Sequence, residues 1–355
     1  MSSPTATLAK TTPVSAGRDL FLDAIACKET ARRPLWIMRQ AGRYLPEYRA
    51  LRVKHTFEQL SGNAELAAEV TLQPLARFPL DAAIVFADLM SPVASLGLEV
   101  KFAPGPVLSK PVRTAADVAT LRTPARAEIA PEVMGALRIV KREIGSKQAL
   151  LGFAGSPWSI AAYLVQGRGE RGFPALRTLT AADPKVIDAL LTKLTDLIIE
   201  YVHAQFEAGA DAVQLFDTWA GILSFDKWTS LVRPHIARFL DETRSAGKPR
   251  ILFVQDASQL VGGYAALPSE ALAVDWREDL PALRRSLGAT KALQGNLDPA
   301  ILVAGPEATR AAAKALLAAV PARGHIMNLG HGITPDAPIE SVQAIVDVVH
   351  AENAS

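Results

Sequence analysis

Cysteine is almost missing from this sequence: Cys27 stands alone among 355 residues. One thiol excludes an intrachain disulfide framework, and it excludes a zinc centre built from several thiolates. A chain so poor in thiols suits a reducing compartment. An excess of one charge is missing too, since 38 Lys and Arg face 36 Asp and Glu, a net of +2. Bulk nucleic-acid binding needs a strongly basic face, so this balance argues against it, while leaving room for a local basic pocket. No run approaches the roughly 18 uninterrupted apolar residues of a membrane span. Residues 1–17 are rich in Ser, Thr, Ala and Pro and lack the apolar centre of a signal peptide, so they read as a flexible tail. The expectation is a cytoplasmic protein with neither a membrane nor a nucleic-acid partner.

What the chain does have is a large apolar content, 49% against 21% charged, which marks a globular fold with a sizeable core. A unit recurs along it: a short apolar run, a polar residue or glycine at its end, then a helical pattern. The runs are 35–38, 82–87, 149–154, 212–216, 251–254, 271–274, 292–297 and 325–329. They lack polar alternation, as expected for parallel strands buried on both faces. Helical spacing marks 184–208, 226–246, 306–320 and 339–352, with Asp183 placed to cap the first of these. Eight strands alternating with helices predict an α/β fold, a single (β/α)8 TIM barrel over 18–355 with extra helices in the long βα links. An open doubly wound sheet is the alternative. The links after the second and third runs are the long ones, and the Pro- and Gly-rich stretch 100–111 predicts an excursion there.

In such a barrel the chemistry sits at the C-terminal ends of the strands. The first run ends at Arg39, within Arg39-Gln40-Ala41-Gly42-Arg43, and Arg52 lies just downstream. Guanidinium forks suit carboxylates and phosphates, although arginines on a solvated helix are the plainer reading. Asp88 ends the second run; Ser156 and Tyr163 follow the third; Asp217, Thr218 and Trp219 end the fourth. Gln255, Asp256, Asp275, Asn296, Asp298, Asn328 and His331 mark the remaining ends. No pair of His with Cys, Asp or Glu has metal-ligand spacing, so no metal is expected, and no Walker loop, nucleophile elbow or GxGxxG is present. A carboxylate such as Asp88, at the end of an apolar strand, is partly desolvated. It could cap a helix, or stabilise a cation that develops in a bound ligand.

The stretch from Pro34 to Arg49 resembles the N-terminal motif of the uroporphyrinogen decarboxylase family, and Gly152-Phe153-Ala154-Gly155-Ser156-Pro157-Trp158 resembles its second motif. The segments 81–88, 214–221, 294–299 and 328–333 also fit, in family order. The resemblance implies a cofactor-free (β/α)8 barrel, a homodimer, that removes CO2 from the four acetates of uroporphyrinogen III to give coproporphyrinogen III. It implies that Arg39, Gln40, Ala41, Gly42 and Arg43 line the substrate site, with Arg52 added, and that the arginines grip carboxylates. Asp88 would be the catalytic residue, receiving the pyrrole N–H groups, while Tyr163, Thr218 and His331 contact substrate side chains. Thr218 stands where many members carry serine and keeps the hydroxyl. The segment 253–258 departs from an expected glycine-rich stretch. Two rivals stand beside this reading. A zinc-dependent methyltransferase would need His and Cys ligands, and a non-catalytic tetrapyrrole carrier would not need Asp88 together with the arginines.

Overall fold

Pairs of a capping side chain and proline start several helices: Ser156-Pro157, Asp183-Pro184 and Asp298-Pro299. The side-chain oxygen takes a free N–H of the first turn, and proline occupies a position whose N–H has no helical partner. Strand runs fill the intervals. The computed structural model describes residues 16–102 and 105–354. Its strands are β1 (Ala82–Ile84), β2 (Val100–Phe102), β3 (Pro106–Leu108), β4 (Ala149–Gly155), β5 (Ala212–Asp217), β6 (Arg250–Val254), β7 (Ala271–Val274), β8 (Ala292–Gln294) and β9 (His325–Ile326). Seven form one parallel sheet in the order β1-β4-β5-β6-β7-β8-β9, while β2 and β3 make a separate antiparallel hairpin. That hairpin is the excursion expected near 100–111, and β4, β6 and β7 are buried along their whole length.

The first expected strand is not one. Residues 34–38 make a single parallel bridge, Leu35 to Met327, and are already turning at Met38. The reason is that side chains claim the N–H groups a ladder would use. Asp81 accepts from Leu35 at 2.8 Å, Gln40 from Ile37 at 3.0 Å and Asn328 from Met38 at 2.9 Å. The observed architecture is therefore a seven-stranded parallel sheet rather than eight paired strands. It is a curled sheet, because this one segment touches both of its edges: Met327 beyond β9, and Asp81 before β1, whose N–H donates to Leu35 at 2.8 Å.

Other expectations shift at their ends. The runs 82–87, 292–297 and 325–329 form ladders only over their first residues, the last two meeting again at an isolated parallel bridge from Leu297 to Leu329. The helix expected over 226–246 is two, Phe225–Leu231 and Arg233–Glu242, followed by a 3-10 turn. Pro234, which has no N–H to donate, is the second residue of the later helix. The helix Pro184–Glu207 forms as expected, with Asp183 accepting from Val186 at 3.3 Å. It is pinned to β4 by Gln205, whose amide takes the Phe153 N–H at 2.8 Å and gives to the Phe153 carbonyl at 2.9 Å. Gly152 leaves room for this, since a Cβ there would strike Gln205. Of the expected tail, residues 1–15 lie outside the described residues, and Gly17 already begins a helix, Gly17–Ile25. No described helix is long and apolar enough to cross a membrane.

His325 is sealed inside the sheet, its Nε2 2.7 Å from the Gly295 carbonyl. A carbonyl only accepts, so Nε2 carries the proton. Burial pushes the imidazole down to about 3, against about 6.5 when unfolded. Below pH 6.5 the unfolded chain takes up a proton that the folded chain refuses, so stability is lost as pH falls from 6.5 towards 3. Between pH 7 and 4.5 the loss from this one group should be about 2–3 kcal/mol. Urea unfolding at the two pH values checks it: the His325→Gln chain should show a decline smaller by that amount.

Candidate active site

Beyond the C-terminal ends of the strands lies a cavity of about 1300 Å³. Its floor is aromatic. Phe153 of β4, Phe216 of β5 and Phe253 of β6 lie in a row, the first pair edge to face with centroids 5.8 Å apart and the second tilted at 5.4 Å. Basic residues line its wall and rim: Arg39, Arg43, Arg52 and Lys54, against Asp88 and Glu58. An apolar bottom under a cationic rim suits a ligand with a flat apolar body and several anionic arms.

Arg39 sits where the segment 34–38 turns, with φ of 62°. Its chain crosses Gly332, where a Cβ would collide with Arg39 Cδ and Cγ. The guanidinium is open to cavity water while protein surrounds it on most sides. Desolvation lowers its pKa, and the nearby Tyr163 and Asp88 oppose this. Neither Arg39 nor Arg43 makes a side-chain hydrogen bond or ion pair with any described residue, so both forks are free to bind an anion. Arg52, by contrast, spends one N–H on the His55 carbonyl at 2.9 Å.

Asp88 lies in the loop after β1, and its Oδ1 accepts from the Met90 N–H at 2.8 Å. The Asp88 N–H is held by Ser91 Oγ at 3.1 Å. This turn aims the carboxylate into the cavity, where Asp88 is a lining residue. Desolvation raises its pKa, while the Met90 hydrogen bond and Arg39 pull it back. Tyr163, on the helix Pro157–Gln166, packs edge-on to Phe173 at 5.7 Å, and burial raises its pKa. Thr218, just past β5, also lines the cavity. His331 Nδ1 accepts from the Gly332 N–H, so the neutral ring carries its proton on Nε2. Burial, with Arg39 and Arg277 nearby, pushes His331 down to about 4, and it is neutral at pH 7.

One cavity thus collects Arg39, Ala41, Gly42, Arg43, Arg52, Asp88, Tyr163, Thr218 and His331. Gln40 is the exception. It is wholly buried and spends its amide on the backbone, taking the Ile37 N–H and giving to the Ala82 carbonyl at 3.0 Å. The phenylalanine floor carries no polar strand-end signal in the sequence, because those residues sit inside apolar runs, and the rim helix Phe57–Ser61 follows no apolar run at all. The loop 253–258 that departs from the expected glycines adopts φ of 48° at Asp256, whose carboxylate lies 3.4 Å from Arg277.

Fold and site together define a class: an α/β protein with a cavity at the strand ends, aromatic at its floor, that brings free arginines together with the partly desolvated Asp88 carboxylate. The comparisons narrow it. The family profile of uroporphyrinogen decarboxylase (URO-D) matches residues 16–352, and the chain belongs to that family. The uroporphyrinogen decarboxylase of Geobacter sulfurreducens is 42% identical over 93% of this chain and 97% of its own. That of Coxiella burnetii is 42% identical over 93% and 94%. A methyltransferase from Methanosarcina mazei shares the fold, with a TM-score of 0.78 at 20% identity over 94% of this chain and 98% of that one.

The Arg39–Gly332 contact is testable by itself. Gly332→Ala should displace the guanidinium and weaken binding of mellitate, a flat hexacarboxylate, about tenfold, a change of about 1.4 kcal/mol. Calorimetry reads the affinity, and an unchanged melting temperature shows that the fold is kept.

Proposed function

We propose that this chain is a cofactor-independent uroporphyrinogen decarboxylase, a carboxy-lyase that removes CO2 from the four acetate side chains of uroporphyrinogen III to give coproporphyrinogen III. The observation that carries the reading is the desolvated Asp88 carboxylate in a cavity that also holds Arg39 and Arg43, neither of them paired with a described residue. Family membership names the substrate. The seven-stranded sheet and the segment 34–38 are read as a (β/α)8 barrel, one catalytic domain over 18–355.

Loss of CO2 from an acetate on a pyrrole leaves an electron pair that needs a sink. Protonation of the ring carbon bearing the acetate makes the ring cationic. The C–CO2 bonding pair then flows into the ring as CO2 departs, leaving an exocyclic methylene. A second proton turns the methylene into a methyl group, and loss of the ring-carbon proton restores the pyrrole. Asp88 would accept the pyrrole N–H groups and stabilise the cation, since those hydrogen bonds strengthen as charge develops. Arg39 and Arg43, with Arg52, would hold the carboxylates, while Tyr163, Thr218 and His331 Nε2–H donate from the wall. The protons come from Arg39, Tyr163, His331 or water. Of these, His331 is a weak acid here, because its neutral ring has only an N–H to give, and an arginine needs an adjacent anion to act as an acid near pH 7.

Incubation of the purified protein with uroporphyrinogen should release CO2 and produce the four-carboxylate porphyrinogen. Binding without turnover would favour a carrier. Asp88→Asn, which removes the charge and keeps the shape, should lower kcat about 10²- to 10³-fold, equivalent to about 3–4 kcal/mol. Near-normal turnover would reduce Asp88 to a capping residue. A cytoplasmic homodimer completes the reading, and sedimentation at micromolar concentration should give a species of twice the monomer mass.

A further inference from the structure

Behind the cavity wall lies a buried polar cluster that the proposed chemistry does not use. Asp217, the last residue of β5, is 1% exposed. Its Oδ1 lies 2.7 Å from Ser156 Oγ and 3.0 Å from Ser159 Oγ, and its Oδ2 meets the Tyr264 hydroxyl. The direction of each hydrogen bond follows from the groups behind the hydroxyls. The Trp228 indole N–H can only donate, and it gives to the Tyr264 oxygen at 2.8 Å. Ser156 Oγ takes the Ser159 N–H at 3.0 Å, and Ser159 Oγ takes the Trp219 N–H at 3.3 Å. All three hydroxyls are therefore already acceptors, and the protons of all three are left for Asp217. A carboxyl that receives three donors and faces no acceptor has its charged form favoured by those bonds, while its burial raises the pKa.

These bonds join two pieces of chain that each bring a hydroxyl to the cavity. Ser156 and Ser159 form the first turn of the helix Pro157–Gln166, and Tyr163 lies one turn beyond Ser159 on the same face. On the other side, Thr218 follows Asp217 directly, and the Trp219 N–H is the one held by Ser159. Two further bonds run alongside, from the Trp158 indole to the Trp219 carbonyl at 3.1 Å and from the Ser156 N–H to the Phe216 carbonyl at 2.8 Å. Tyr163 and Thr218 come from different elements, and Asp217 is the group that both are referred to.

We propose that Asp217 is a positioning residue for decarboxylation, a buried carboxyl group whose three hydroxyl bonds set Tyr163 and Thr218 at a fixed separation on the cavity wall. This rests on the decarboxylase reading of the site. Asp217 touches no part of the cavity and acts only through those two side chains. Asparagine at this position is isosteric, but its NH2 group donates, so it opposes at least one hydroxyl and disturbs the joint without leaving a void.

A double-mutant cycle tests the proposal, because groups acting through one another are non-additive and independent ones are additive. Asp217→Asn should lower kcat/KM about tenfold or more in the parent protein. Placed on a Tyr163→Phe/Thr218→Ala background, the same change should cost less than about threefold, since the side chains it positions are already gone. Trp228→Phe, at the far end of the chain of bonds, provides the control for stability. It should lower the melting temperature while leaving kcat/KM within about twofold. Tyr264→Phe, which removes one of the three donors and keeps the ring, should give an intermediate loss and serves if Asp217→Asn does not fold. An equal loss in both backgrounds overturns the proposal, as does an Asp217→Asn or Tyr264→Phe protein of parental activity. Failure of the parent to release CO2 from uroporphyrinogen is a different result, and it rejects the decarboxylase reading instead.

Discussion

Asp81 takes charge of the seam on which the site depends. Its carboxylate accepts both Nη atoms of Arg32, each at 2.6 Å, and the Leu35 N–H at 2.8 Å, with all three groups buried. A buried charge costs several kcal/mol unless it is paired and hydrogen-bonded, and this pair meets both conditions. The contact fixes 34–38 against the β1 edge of the sheet, while the bridge from Leu35 to Met327 fixes it against the β9 edge. Without that seam the sheet has two open margins, and Arg39 has no defined place above the strand ends.

The seam is built from side chains because backbone pairing alone cannot also deliver a sharp turn. Gln40 and Asn328 satisfy the N–H groups of Ile37 and Met38, which releases the segment from strand geometry just before Arg39 adopts a positive φ. Gln40 therefore serves the site from inside the wall rather than on its surface. Across the mouth, the Asp217 hydroxyl cluster does the corresponding task for β4 and β5. Both devices place charge or polarity in the interior, where specific hydrogen bonds hold it.

The opposite end of the sheet uses cations differently. Arg33 donates to the Leu317 and Val320 carbonyls, Arg250 to that of Leu240 at 2.5 Å, and Lys248 to that of Phe206 at 3.0 Å. Each of these closes the C-terminal turn of a helix, where carbonyls lack intrahelical partners. The same residue types are bound to backbone at one end and left free at the other. That contrast is what separates structural arginines from Arg39 and Arg43.

Much of this was legible in sequence. Unalternated apolar runs such as 149–154 and 212–216 are strands because both faces are covered, and Asp183-Pro184 starts a helix through its own local bonding. The polar residues after those runs converge because parallel strands all point their C-terminal ends one way. What sequence could not decide is what depends on partners distant along the chain. Leu35–Met38 reads as a strand until Asp81 and Asn328 take its N–H groups. Gln40 and Arg39 are neighbours in one motif, yet the αL turn sends one into the wall and the other into the cavity. The aromatic floor of Phe153, Phe216 and Phe253 has the same composition as core, and only the curl of the sheet exposes it to a ligand. Local bonding and periodicity act over a few residues and can be read directly, whereas the roles of single side chains are set by tertiary contacts such as that of Met38 with Asn328, 290 positions away.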